Sequence, residues 1–206
     1  MKQLIFSFWV LLIALPAIAD EASKQQLIAS LEAFNTVQAQ FEQKTYSESS
    51  ATPDIIEGYL NIEKPMKFAW VVTQPYEQQV ISDGETLWVY DPDLEQATYQ
   101  AVDEQIQHSP AMILSQPRAT LSTDYQVIGA ALGASTVYRL LPLDDQSVFS
   151  EMEMTLVDQA IESIVVNDSL GQRTVITFED FVANEPIDAS VFEFNPPVGT
   201  DLFEQM

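Results

Sequence analysis

The amino-acid sequence predicts a mainly β chain with a helical cover, an unclosed antiparallel β-barrel of about 10–11 strands under an α-helical lid. Three observations predict it. Short apolar runs separated by turn pairs fill most of the chain, an amphipathic stretch precedes them, and a short apolar helix signal interrupts them midway.

The N-terminus stands apart. Lys2, the apolar run Leu4 to Leu15, the helix-breaking Pro16 and the triplet Ala17-Ile18-Ala19 make residues 1–19 a signal peptide cleaved before Asp20. The run reaches about 16 residues, short of the roughly 20 that a spanning helix needs. Residues 20–206 are then expected to form one domain, long enough for a sizeable core.

From Ser23 to about Tyr46, Leu27, Leu31, Phe34, Val37 and Phe41 recur at steps of three and four, which predicts one long helix with one face to bury. After Pro53 the period changes. Tyr59 to Ile62, Phe68 to Val72, Val80-Ile81 and Leu87 to Tyr90 read as strands, divided by Lys64-Pro65, Gln74-Pro75, Asp83-Gly84 and Asp91-Pro92. Ser109-Pro110 reads as the cap and first residue of a short helix, Ala111 to Leu114, that Pro117 ends.

Strands resume at Tyr125 to Ile128, Val137 to Leu141, Val148 to Leu156, Ile161 to Val166 and Arg173 to Phe181. In the third of these, Val148, Met152, Met154 and Leu156 share one parity and Glu151 and Glu153 the other, so one sheet face is dry and the other wet. Phe192, Phe194, Pro196 and Pro197 suit an edge strand running into an irregular tail. So large a sheet curls to bury one face, with the helices as its cover. Spacing leaves open whether side chains fill the enclosed space.

Eight Lys or Arg against 31 Asp or Glu give a net charge of −23, which excludes nucleic acid as a partner. The plain reading of this acidity is solubility or a salty habitat; a functional reading is a negative shell that resists anionic membranes. Cysteine is absent, so neither disulfides nor the cysteine-linked lipid anchor of a bacterial lipoprotein is available. His108 is the single histidine, without a Gly-x-Ser-x-Gly elbow to support it, and Asp91-Pro92-Asp93 and Asp144-Asp145 read as turns. No metal, no cofactor and no enzymatic activity are expected.

Lys64-Pro65-Met66-Lys67-Phe68-Ala69-Trp70 resembles an Arg-Pro-x-x-Phe-x-Trp element, and Ser82 to Gln96 resembles Ser-Asp-Gly-x-x-Leu-Trp-x-Tyr-Asp-Pro-x-x-Glu-Gln. Both are marks of the periplasmic outer-membrane lipoprotein carrier (LolA) family. Phe41-Glu42-Gln43-Lys44, Ser109-Pro110-Ala111-Met112 and Phe192 to Gly199 match in the same order. The resemblance implies a monomeric periplasmic chaperone that takes triacylated outer-membrane lipoproteins from an inner-membrane lipoprotein-releasing ABC transporter and delivers them to an outer-membrane receptor.

The acyl-chain lining is then expected from Leu31, Phe34, Phe41, Phe68, Trp70, Val72, Val80, Met112 and Leu114. Phe68, Trp70 and Val72 project from one face of one strand. A stripe of this kind also serves as plain core. The resemblance further implies that Lys64, where the family carries Arg, is a clasp that holds the lid through backbone carbonyls. Ammonium lacks the rigid five-donor fork of guanidinium, so the clasp should be less firm. Two other readings stand beside the carrier: a periplasmic lipid-binding sensor of the same fold, and a lipid-directed hydrolase relying on His108.

Overall fold

A computed structural model describes residues 18–102, 110–144 and 147–205. The leader up to residue 17, and His108, Ser109 and Asp145, lie outside the described residues. Among the described residues no helix is long and apolar enough to cross a membrane.

Helix α1 spans Ile18–Glu32 and buries Leu27, Ile28 and Leu31. It ends there, and the residues beyond it correct the reading of one long helix. Thr36–Tyr46 is strand β1, with Val37, Ala39 and Phe41 buried at period two. A four-residue step from Val37 to Phe41 satisfies a helix and a strand alike, and Ala39 between them decides for the strand.

Five strands follow: β2 (Asp54–Glu63), β3 (Lys67–Gln74), β4 (Gln78–Asp83), β5 (Thr86–Asp91) and β6 (Gln96–Ala101). Helices α2 (Pro110–Ser115) and α3 (Pro117–Asp124) come next, each opening on proline. Strands β7 (Tyr125–Leu132), β8 (Ser135–Pro142), β9 (Phe149–Val157), β10 (Ala160–Asp168) and β11 (Arg173–Ala183) complete the main sheet. A 3-10 turn at Ala189–Phe192 leads to β12 (Asp201–Glu204).

Among the described residues the twelve strands form one sheet in the order β12-β6-β5-β4-β3-β2-β1-β11-β10-β9-β8-β7, with β12 and β7 as its two edges. The barrel is therefore unclosed, as predicted. One pair departs from the antiparallel expectation, for β12 joins β6 in parallel. Phe192 and Phe194 precede that strand and lie in no strand themselves.

One apolar cluster joins α1, α2 and α3 to inward residues from β5 at one side of the strand order to β7 at the other, including Leu87 and Val127. Strands so far apart can share a core only if the sheet curls around the helices. On β9 the dry parity is Met152, Met154 and Leu156, whereas Val148 lies just outside the strand and is 62% exposed, contrary to its expected burial. Across β3 to β5 both faces are apolar. There the outward Ala69, Val71 and Ile81 are covered by Phe192 with Ile187, Val191 and Phe194, and Phe194 packs beside Trp88 and Tyr90 at 5.3 and 5.1 Å.

The Ser-Asp-Gly segment owes its residues to the turn between β4 and β5. Asp83 Oδ1 accepts from the Glu85 and Thr86 amides at 2.8 Å, Gly84 takes φ +99°, and the fully buried Ser82 donates to Met66 O at 2.8 Å. An Asx-type turn needs this acceptor and this left-handed residue.

Candidate functional site: an apolar interior with a polar clasp

The inward face is built in rows. Val37, Ile62 and Phe68 stand side by side, as do Ala39, Leu60, Trp70 and Val80, and then Phe41, Gly58 and Val72. Phe41 reaches over Gly58 and stacks on Trp70, ring centroids 3.9 Å apart. Gly58 makes this possible: a Cβ there would lie 2.8 Å from Phe41 Cζ and 2.0 Å from Val71 O. Phe34 meets Phe181 of β11 edge to face at 5.4 Å.

Of the nine expected lining residues, Leu31, Phe34, Phe41, Phe68, Val72 and Leu114 are buried in the one cluster, and Trp70 and Val80 pack against it partly buried. Met112 lies in α2, and its side chain is outside the described residues. Phe34 and Phe41 reach the interior from outside any helix, Phe41 from β1, which corrects their expected place on a helix face. In this closed arrangement α2 lies on β2 and β3, while α3 lies on α1 and β7.

Lys64, the expected clasp, follows β2. Its Nζ donates to Leu31 O in the last turn of α1 at 2.5 Å, and its backbone amide donates to Asn35 O at 2.9 Å. A cation here meets the negative end of the helix. Burial pushes the Lys64 ammonium down to about 8, and the Glu32 carboxylate only partly offsets it. The Leu31 carbonyl belongs to α1 and not to α2. Instead the connection to the second cover element runs through Glu32, whose carboxylate takes both Nε and Nη2 of Arg118 in α3.

Sequence reasoning missed Asn184. Its Oδ1 accepts from Asn35 N at 2.7 Å and its Nδ2 donates to Ala33 O at 3.1 Å, pinning the α1–β1 corner from the opposite side. Separations of 149 and 151 residues leave no local signal for this contact. Only the turn preference of Asn, which here adopts φ +63°, marks the position.

Arg118→Ala should leave global stability nearly unchanged, since both partners of this bidentate pair are solvated and exposed pairs contribute little. Urea denaturation in low and high salt checks this. A clear drop in the urea midpoint would make the pair a main support of the fold.

The architecture defines a class: an open, curled sheet whose apolar inward face is covered by helices and joined to them by a few polar contacts. The chain belongs to the outer membrane lipoprotein carrier protein LolA family, matched over residues 32–195. It is 33% identical over 195 residues to the outer-membrane lipoprotein carrier protein of Chromohalobacter salexigens, covering 95% of this chain and 93% of that one. The protein of that name from Azotobacter vinelandii is 32% identical over 190 residues, 92% of each chain. Among solved structures, an uncharacterized conserved protein from Thermus thermophilus matches with TM-score 0.54 at 11% identity, over 89% of this chain and 99% of its own. A LolA superfamily protein from Nitrosomonas europaea matches with TM-score 0.50 at 14% identity, over 84% and 98%. These two likenesses concern the fold alone.

Proposed function

We propose that the protein is a monomeric periplasmic chaperone for triacylated outer-membrane lipoproteins. It is exported by cleavage of residues 1–19, receives cargo from an inner-membrane lipoprotein-releasing ABC transporter and hands it to an outer-membrane receptor. The observation that carries this reading is the single apolar cluster shared by the sheet's inward face and its three helices, in a chain of the lipoprotein carrier family.

The job sets the energetics. Exposing a methylene to water costs about 0.8 kcal/mol, so one 16-carbon chain represents roughly 12 kcal/mol and three about 35. A carrier must offer a comparable dry surface and still give the cargo up. Leu31, Phe34, Phe41, Phe68, Trp70, Val72, Val80, Met112 and Leu114 supply that surface once the cover lifts, with acyl chains replacing helix side chains against the sheet. Lys64 and the Glu32–Arg118 pair are polar contacts that break without leaving an apolar hole.

The test is to mix the purified protein with membranes holding a labelled lipoprotein and the cognate transporter. A soluble one-to-one complex is expected on ATP addition. Label that stays with the membrane at every protein concentration contradicts the reading.

A further inference from the structure

Among the described residues, two buried side-chain polar atoms have no hydrogen-bond partner: Asp124 Oδ2 and the hydroxyl of Tyr125. They are consecutive, at the junction of α3 and β7, yet they leave each other unsatisfied. Among the described residues the Asp124 side chain is engaged through Oδ1, which accepts from Thr123 Oγ1 at 2.7 Å. Buried polar groups are otherwise paired as a rule, and buried tyrosine hydroxyls in particular find a partner. Ser82, equally buried, follows that rule.

Tyr125 is only 1% exposed, shares the inward parity of β7 with Val127, and belongs to the same apolar cluster as Leu27, Leu31 and Leu121. Phenylalanine would fill this place without an orphaned donor. The position is also at an end of the interior. A recess of about 300 Å³ formed by Thr123, Asp124, Pro142, Leu143, Asp144 and Ser147 adjoins the first residue of β7. Burial, and then the Asp124 charge, push the Tyr125 hydroxyl up to about 12, so it keeps its proton and remains a donor at neutral pH.

A lipid tail is polar at one place only, the ester or amide carbonyl that joins it to its head. That carbonyl accepts hydrogen bonds and cannot donate them, and a wholly apolar wall would leave it unsatisfied. Resting on the carrier reading, we propose that the Tyr125 hydroxyl donates to an acyl carbonyl of the cargo, fixing its depth with the tails inside and the head toward the Asp124 recess.

The test compares two fluorescent probes in the purified protein: a diacylglycerol with two 16-carbon ester-linked chains and its dialkyl ether counterpart, which lacks both carbonyls. The wild type should prefer the ester by about tenfold, the worth of one neutral hydrogen bond. In Tyr125→Phe that ratio should fall to about one, while Tm stays level or rises by about 2–4 °C as the unpaired hydroxyl is lost. Equal binding of both probes by the wild type overturns the proposal and leaves the carrier reading standing. A preference that survives in Tyr125→Phe also overturns it, as does a fall in Tm that marks the hydroxyl as held by a structural water. Binding of neither probe overturns both readings.

Discussion

Gly58→Ala should destabilise the protein by about 2–3 kcal/mol and lower Tm by roughly 5–10 °C. The added methyl would stand 2.0 Å from Val71 O, a backbone atom of the neighbouring strand, and 2.8 Å from the Phe41 ring. A side chain could swing away, but a carbonyl in a ladder cannot move without shifting β3. Alanine also restricts the unfolded chain, which favours folding by about 0.4–1 kcal/mol. Overpacking costs more than this gain, so the net effect is a loss. Register between β2 and β3 already shifts at Glu57 and Gly58, placing the clash where the ladder is irregular. Denaturant unfolding gives the magnitude, and altered Trp70 emission would report Phe41 lifting off its stack. Wild-type stability in Gly58→Ala would show that the close approach of the two strands is relaxed at no cost.

The second large effect concerns pH and Lys64. Its folded-state value, about 8, lies below the ordinary 10.5 because burial penalises the charge. Below pH 8 the ammonium is charged in both folded and unfolded chains, and the folded state carries the whole penalty. Between pH 8 and 10.5 the unfolded chain holds more protons, so stability rises with pH across that window. The gain should be on the order of 2 kcal/mol after allowance for partial exposure. Lys64→Met removes this titration, and the difference between wild type and variant at pH 7 and pH 10 isolates it from the other groups. Urea midpoints at the two pH values measure it, and equal pH slopes in the two proteins would contradict it.

Local behaviour should move the other way. Deprotonation replaces a charge-assisted bond to Leu31 O by a weaker neutral one, so the last turn of α1 loosens as the global fold gains. In Lys64→Met at neutral pH, hydrogen exchange in that turn should accelerate by about tenfold. A single contact of this kind can yield without unfolding its surroundings, which a carrier that must open requires. The difference between lysine and arginine thus has a direct consequence. An arginine at this place would stay charged throughout, whereas lysine can lose its charge near pH 8.

The open barrel and its cover were legible in the sequence because turn chemistry is local. Asp83-Gly84 and Lys64-Pro65 each sit at the connection they signal, and Gly84 takes φ +99°. β1 was misread because Val37 and Phe41 fit two periods at once. β6 was overlooked since Gln-Ala-Thr-Tyr-Gln-Ala carries little apolar signal, and its strand character comes from pairing with β5 and β12. A parallel partner such as β12 leaves no turn to read.

The site was legible in composition but not in connection. Phe68, Trp70 and Val72 share parity, so spacing alone placed them on one face. The contacts that fasten the cover, Lys64 to Leu31, Arg118 to Glu32 and Asn184 to Ala33, span 33, 86 and 151 residues. No periodicity encodes such distances. The Ser-Asp-Gly-x-x-Leu-Trp segment, the most specific resemblance, is largely architectural: its first three residues build a turn, and Trp88 faces away from the interior, against Phe194.

Trp70 on the inward face and Trp88 on the outward face allow the central claim to be measured directly. Proteins bearing Trp88→Phe or Trp70→Phe, with the leader removed, each retain one tryptophan in the carrier domain. They would be loaded with a lipid whose acyl chains carry bromine, a contact quencher of indole fluorescence. Cargo held between the curled sheet and its helices should quench Trp70 strongly and leave Trp88 bright. Quenching of Trp88 alone, or of neither ring in a loaded protein, would place the acyl chains somewhere other than the interior.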